Sequence, residues 1–419
     1  MDEVLITGIG IVSPMGIGPE AVRASLANLT SGVSPIDDYA EAGWLAPYGG
    51  QVLDFDGKQY VKPRKSLKVM AREIQMAFAA AEMAAEQAGV AEGSFDPDRA
   101  GVVLGAGSMY CDMEELVEPY LASTNDGKFD FSKWGEQALR EFYPLWMLKY
   151  LPNMPACHIG IRHDARGPTN TIALGDASSV LSVAEAAHVI RRGQADLMFT
   201  GGVSSRLAIS DLIWHRGARL AQTNDPPESI SRPFDAKRSG MVMGEGAALF
   251  VLESRSHAER RGAAPIARVV SSASRYQKLA HQYDPPGEAI STAFSLALER
   301  SGVSPAELAH VHAHGLSTVE DDPVEAAAIA RVLDGADVPV TAAKSYFGNL
   351  GPGGGAVELA VSLLAAADRQ VPATLNHEQT DPDCPVRVAT STESTDRRAF
   401  AKLSHTPTGQ AAATIVVVE

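Results

Sequence analysis

Cysteine is scarce in this chain. Three occur in 419 residues, Cys111, Cys157 and Cys384, which excludes a disulfide framework and points to a reducing compartment. Positive charge is also in short supply: Lys plus Arg number 36 against 51 Asp plus Glu, for a net charge of -15. That balance argues against a general binder of nucleic acid or anionic membrane, so an acidic partner must meet a local basic patch. No apolar run is long enough for a membrane span, and the opening MDEVLITGIG has no signal-peptide pattern. The cytoplasm is the expected location. What remains, 45% hydrophobic and 21% charged, is the composition of a soluble globular protein with room for one large or two fused domains.

The most informative stretch runs from Gly167 to Gly193, GPTNTIALGDASSVLSVAEAAHVIRRG. Asn170 to Leu174 reads as a short buried strand, and Gly175-Asp176 as a sharp corner. A helix then starts at Ala177, with Val180, Val183, Ala184, Ala187 and Ile190 on one stripe and Gly193 as its stop. A tight turn between strand and helix presents its tip residue at a helix N-terminus, where free N–H groups and the dipole favour negative charge. The tip residue is Asp176. Asp is among the best N-cap residues, worth about 1 kcal/mol, and the same N–H groups would keep it ionised and make it a poor base. A structural, capping role is therefore expected.

This stretch resembles the nucleophile elbow of the β-ketoacyl synthases, condensing enzymes of the thiolase fold, whose version reads roughly G-P-x-x-x-I-x-T-A-C-x-S. The resemblance places Asp176 on the active-site cysteine. A thiolate there would attack an acyl thioester; a carboxylate is a far weaker nucleophile, so the acyl-enzyme step is expected to be lost. Two further stretches carry the resemblance: VLITGIGIVSPMG at the N-terminus, and RLAQTNDPPESISRPFDAKRSGMVMGEGAALFVLE from Arg219 to Glu253, the longest close match.

VKPRKSLKVMAREIQMAFAAAEMAAEQAG reads as a long helix beginning near Lys65, with Lys62, Arg64, Lys65, Lys68 and Arg72 on its N-terminal part. Cations there oppose the helix dipole. In the family a basic patch at this place meets the acidic acyl carrier protein; a solvated charged face is the competing reading. Ser108 to Pro155 is aromatic-rich and corresponds to the family's dimer contact and acyl-tunnel wall. Met109 and Tyr110 would shorten or plug that tunnel, or else fill core.

From about Arg260 strand and helix patterns alternate again. HVHAHGLSTVEDDPVE resembles the loop bearing the family's first active-site histidine, which falls on His314, with Thr318, Asp322 and Glu325 on the matching polar positions. A metal site from His310, His312 and His314 is disfavoured, because same-face residues along a strand lie ~6.5–7 Å apart. AAKSYFGNLGPGGGAVELA resembles the second-histidine motif, with Lys344, Ser345, Gly348, Gly355 and Glu358 matching and Asn349 in place of histidine. The resemblance implies that His314 and Asn349 hydrogen-bond a thioester carbonyl as enolate charge develops; His plus Asn is the pair of initiating ketosynthases and chalcone-synthase relatives. The family's S-F-G-F-G-G-T-N loop is replaced by SHTPTGQA, so the gating Phe becomes His405 or Pro407 depending on register.

The expected architecture is α/β and thiolase-like: two βαβαβαββ halves, residues 1–255 and 256–419, forming five αβαβα layers. The expected role is a ketosynthase-like subunit of type II fatty acid or polyketide biosynthesis that does not condense, pairing like a chain-length factor with an active ketosynthase. Chain-length factors usually carry Gln rather than Asp at the elbow. The alternatives are altered chemistry, either malonyl decarboxylation or acid/base work by Asp176, His314 and Asn349, and a non-catalytic homodimeric acyl-binding protein. Expected partners are an acyl carrier protein and a second subunit, in a homodimer or a heterodimer, with no nucleic acid, membrane, metal or cofactor.

Overall fold

Ten strands of the main sheet fall into two sets with the same internal order. In the computed structural model, which describes residues 2–44, 46–91, 93–211, 219–281 and 284–419, the first set is β1 (Val4–Ser13), β2 (Ala100–Gly105), β3 (Thr169–Ile172), β4 (Leu197–Ser205) and β5 (Glu245–Ser254). The second is β6 (Ala267–Tyr276), β7 (Leu308–His312), β8 (Val340–Thr341), β9 (Ala399–His405) and β10 (Gln410–Val418). Their spatial orders are β1-β5-β4-β2-β3 and β6-β10-β9-β7-β8. In each set the first two pairings are antiparallel and the last two parallel. The two sets join only where Leu5 and Ile6 meet Arg268 and Ala267, so the halves are topological repeats sharing one eleven-stranded sheet.

Helices complete five layers. On the first set's outer face lie α1 (Arg72–Ala88) and α2 (Met154–His163); on the second set's lie α4 (Gly287–Ser301) and α5 (Asp321–Leu333). Between the sets, α3 (Ser178–Arg191) packs against α6 (Gly354–Ala367). An apolar sequence on every face is what a helix needs to be enclosed, and α6 is buried throughout Gly354–Ala366. Leu359, Val361, Leu363 and Leu364 each add roughly 1.5–3 kcal/mol by leaving water. Among the described residues no helix is long and apolar enough to cross a membrane.

Three local expectations are corrected. Strand β3 covers Thr169–Ile172 and is the sheet's edge: Thr169 and Asn170 are exposed, not buried. The helix expected from Lys65 starts at Arg72, preceded by a 3-10 turn at Arg64–Val69; Pro63 just ahead and the unfavourable dipole of a cationic first turn explain the delay. Arg72, its side chain 40% exposed, is committed to the fold, making a two-pronged ion pair with buried Glu245, donating to the Val52 carbonyl and lying over the Phe55 ring. Lys62, Arg64, Lys65 and Lys68 are exposed.

Next to Arg72, burial pushes the Glu73 carboxyl up to about 7, with Glu245 and Asp112 adding to the shift and Arg72 opposing it. A folded pKa above the unfolded value means that stability is full below about pH 4 and is lost as pH rises towards 7. Glu73→Gln is therefore expected to melt above the parent at pH 8, with the gain shrinking at pH 5. Equal gains at both pH values in thermal melts would contradict this.

Candidate active site

The carboxyl ends of the parallel strands converge, the usual place for a site in an α/β sheet. After β3, the chain turns through Gly175–Ala177 into α3. Gly175 has φ +55, and a Cβ there would sit 3.4 Å from Thr406; glycine relieves both constraints. Arg206 follows β4, His314 follows β7, and His405 ends β9. Asn349 follows the short helix Lys344–Phe347 through Gly348, whose φ is +74 and whose Cβ would lie 2.7 Å from the Val242 carbonyl.

Asp176 does not cap α3. Closure of the turn falls to Ser178, whose hydroxyl accepts from Leu174 N–H and donates to the Gly175 carbonyl. The Asp176 carboxylate instead faces three side chains. Oδ1 receives Arg206 Nη2 at 2.5 Å; Oδ2 lies 3.3 Å from Asn349 Nδ2 and 3.5 Å from His314 Nε2. Burial by itself would raise its pKa, but Arg206, with His314 and Lys344 assisting, holds the carboxyl well below the usual range. The donors that face Asp176 are side chains, not the helix N–H groups expected.

Lys344 decides which nitrogen of His314 faces the centre. An ammonium can only donate, and Lys344 Nζ lies 3.0 Å from His314 Nδ1 and 2.7 Å from the His314 carbonyl, with Glu358 as its third acceptor. Nδ1 is thus the acceptor, and the proton of the neutral ring sits on Nε2, towards Asp176. Burial, then Lys344 and His405, lower the His314 pKa well below the ordinary histidine value. Asn349 is oriented in the same manner: its Oδ1 accepts from Gly351 N–H at 3.1 Å, leaving Nδ2 towards Asp176. Glu325 accepts the N–H groups of His314 and Gly315 at 2.6 and 2.8 Å. Burial opposes ionisation of Glu325, but His405, His314 and the Gly315 N–H bring its pKa down to about 2.

Of the two candidate gate positions, His405 lies beside the centre. It is buried edge-on to His314, ring centroids 4.5 Å apart, with Nε2 3.9 Å from Glu325. Pro407 lies in the β9–β10 turn, which Thr406 and Gly409 close. Met109 points away from the elbow into a cluster with Val61, Met70, Ile74 and Phe78, so it fills core. Tyr110 borders a cavity of about 300 Å³ that reaches Ser108, Gly175, Ser204, Arg206 and Pro352. His310 and His312 both engage the Ser362 hydroxyl, at 2.8 and 2.7 Å, apart from His314. Among the described residues no three His, Cys, Asp or Glu side chains are placed to hold a metal.

Arg206 and Lys402 escaped the sequence reading. Lys402 reaches Glu358 at 2.6 Å from β9. The available signal for each was a cation in or directly after an otherwise apolar strand. Removing Asp176 takes a countercharge from the half-buried Arg206 guanidinium and is expected to cost on the order of 3 kcal/mol, more than the ~1 kcal/mol of a lost cap. In urea unfolding, Asp176→Ala with Arg206→Met should recover most of that loss. A loss of about 1 kcal/mol that the second change does not relieve would instead indicate capping.

Comparison with known proteins places these residues in a family. Residues 1–258 match the model described as "Beta-ketoacyl synthase, N-terminal domain", and residues 266–378 its C-terminal domain. The 3-oxoacyl-[acyl-carrier-protein] synthase 2 of Rhizobium meliloti (strain 1021) is 32% identical over 391 residues, 90% of this chain and 89% of that protein. Two solved structures are similar along the whole chain. The ishigamide ketosynthase/chain length factor has a TM-score of 0.87 at 27% identity, covering 100% of this chain and 99% of that one. A ketosynthase bound to a hexaketide, in complex with its type II PKS acyl-carrier protein, has a TM-score of 0.83 at 25% identity, covering 100% and 99%.

Proposed function

The chain belongs to the β-ketoacyl synthase family, and we propose that it acts in type II fatty acid or polyketide biosynthesis as a non-condensing partner of an active ketosynthase. The observation that carries this reading is Asp176: a buried carboxylate paired with Arg206 stands where the family's resemblance places the thiol nucleophile. A carboxylate held ionised by a guanidinium neither attacks a thioester nor serves as an effective base. The likeness to a chain-length-factor structure supports the partner role.

Pairing through β3 accounts for its exposed edge. An uncovered edge strand offers unpaired N–H and C=O groups that native proteins pair or cover, and Thr169 and Asn170 are exposed at the end of the sheet. Light scattering at micromolar concentration is expected to return a dimer mass, either alone or with a cognate ketosynthase. A monomer in both samples would remove the assembly. A dimer that forms only with itself would favour the homodimeric acyl-binding alternative.

The basic loop supplies the second partner. Exposed Lys62, Arg64, Lys65 and Lys68 form a local positive patch on a chain of net charge -15, suited to an acidic acyl carrier protein. Binding should weaken with added salt, since exposed charges are screened within ~8–10 Å. It should be lost in the double variant Lys65→Glu/Lys68→Glu; equal titration curves for the variant and its parent would exclude the patch. The same carrier protein, loaded with malonate, tests the altered-chemistry alternative. Mass spectrometry should find its acyl group unchanged after incubation, whereas decarboxylation by the parent that disappears in Asp176→Ala would replace the partner role by catalysis.

A further inference from the structure

Both hydrogen-bond donors that the family reading assigns to a substrate carbonyl are directed at the chain's own carboxylate. His314 cannot present another nitrogen, because Lys344 donates to Nδ1. Asn349 cannot turn, because Gly351 N–H holds its Oδ1. Their N–H groups converge on Asp176 Oδ2 at 3.5 and 3.3 Å. Arg206 grips the other oxygen, Oδ1. All three residues around this oxygen are nearly inaccessible: Asp176 is 3% exposed, His314 1% and Asn349 1%. The His314 Nε2 donor makes no hydrogen bond among the described residues; the Asp176 carboxylate faces it at 3.5 Å.

We infer that Asp176 is a built-in occupant of the carbonyl site and that Arg206 is the positioning residue which keeps it there. The inference deepens the proposed function and rests on its assignment of His314 and Asn349 as carbonyl donors. The chemistry favours the internal occupant. A carboxylate oxygen is a stronger acceptor than a thioester carbonyl, since charge-assisted hydrogen bonds are roughly twice as strong as neutral ones. Covalent attachment also spares it the translational cost that an incoming acyl group would bear. Catalysis is therefore closed twice, by the missing thiol and by a carboxylate that stands against both donors. Restoring cysteine at the elbow addresses only the first.

The inference identifies the ligand that the emptied site would take: a small carboxylate. In Asp176→Ala, Arg206, His314 and Asn349 surround the vacated position with donors, and formate or acetate reproduces the lost group. Titrating the purified full-length variant with sodium formate should raise its Tm saturably, by about 1–2 °C at ten times the dissociation constant. Sodium chloride at equal ionic strength should have no such effect, and the parent and Asp176→Ala/Arg206→Met should not respond to formate. Equal responses in variant and parent, or a response that survives Arg206→Met, would overturn the inference. Arg206→Met alone gives an independent reading that does not require the alanine variant to fold. The Asp176 carboxyl, followed by carbon-13 NMR, should titrate at a higher pH than in the parent; an unchanged titration would refute the positioning role. None of these measurements involves a ketosynthase or carrier protein, so failure to find a partner and failure of this inference are separately visible.

Discussion

One buried carboxylate underlies the whole centre. Glu358, on the enclosed helix α6, meets Lys344 through Oε1 and Lys402 through Oε2, and all three side chains are fully buried. Taking an ammonium out of water costs several kcal/mol even after relaxation, so neither lysine is tolerable without that counter-ion and further acceptors. Lys344 finds them in His314, at the ring nitrogen and the backbone carbonyl. Lys402 finds one in the Leu403 carbonyl. A charge arrangement in the core thereby settles which nitrogen of His314 carries its proton, several bonds away from any place a substrate could reach.

The departures from the family pattern fit one another. Asp176 at the elbow would be a costly buried anion without Arg206. Asn349 suits this partner because its amide can accept from Gly351 with one end and donate to Asp176 with the other. His405 lies against His314 and faces Glu325. Asp176 and Asn349 thus have hydrogen-bond partners in one another and in Arg206 and Gly351, whereas His405 Nε2 faces Glu325 without a hydrogen bond. The site is a coherent second arrangement of the family's framework.

Function follows from position more than from residue type. Arg72 and Lys68 are both cations at the start of α1, yet the first is committed to Glu245 and the second is exposed. His310, His312 and His314 alternate along one segment, yet the first two share Ser362 while the third faces the elbow. In each case the sequence spacing is nearly uniform, and the surrounding packing gives residues of one type different partners.

Local patterns were enough for the framework. The repeated strand and helix periodicities, the Gly175 corner and the long apolar α6 are encoded in neighbouring residues, because periodicity and backbone conformation are short-range properties. The absence of a thiol at the elbow was equally readable. Tertiary structure alone decided that β3 is an exposed edge, that Arg72 pairs with Glu245, and that His405 rather than Pro407 lies beside the centre. It also decided what Asp176 touches: Arg206, 30 residues away, and Asn349, 173 residues away. A helix-capping bond would have been local and legible. The ion pair that replaced it forms only because β3 and β4 end at the same place, and no short stretch of sequence carries that information.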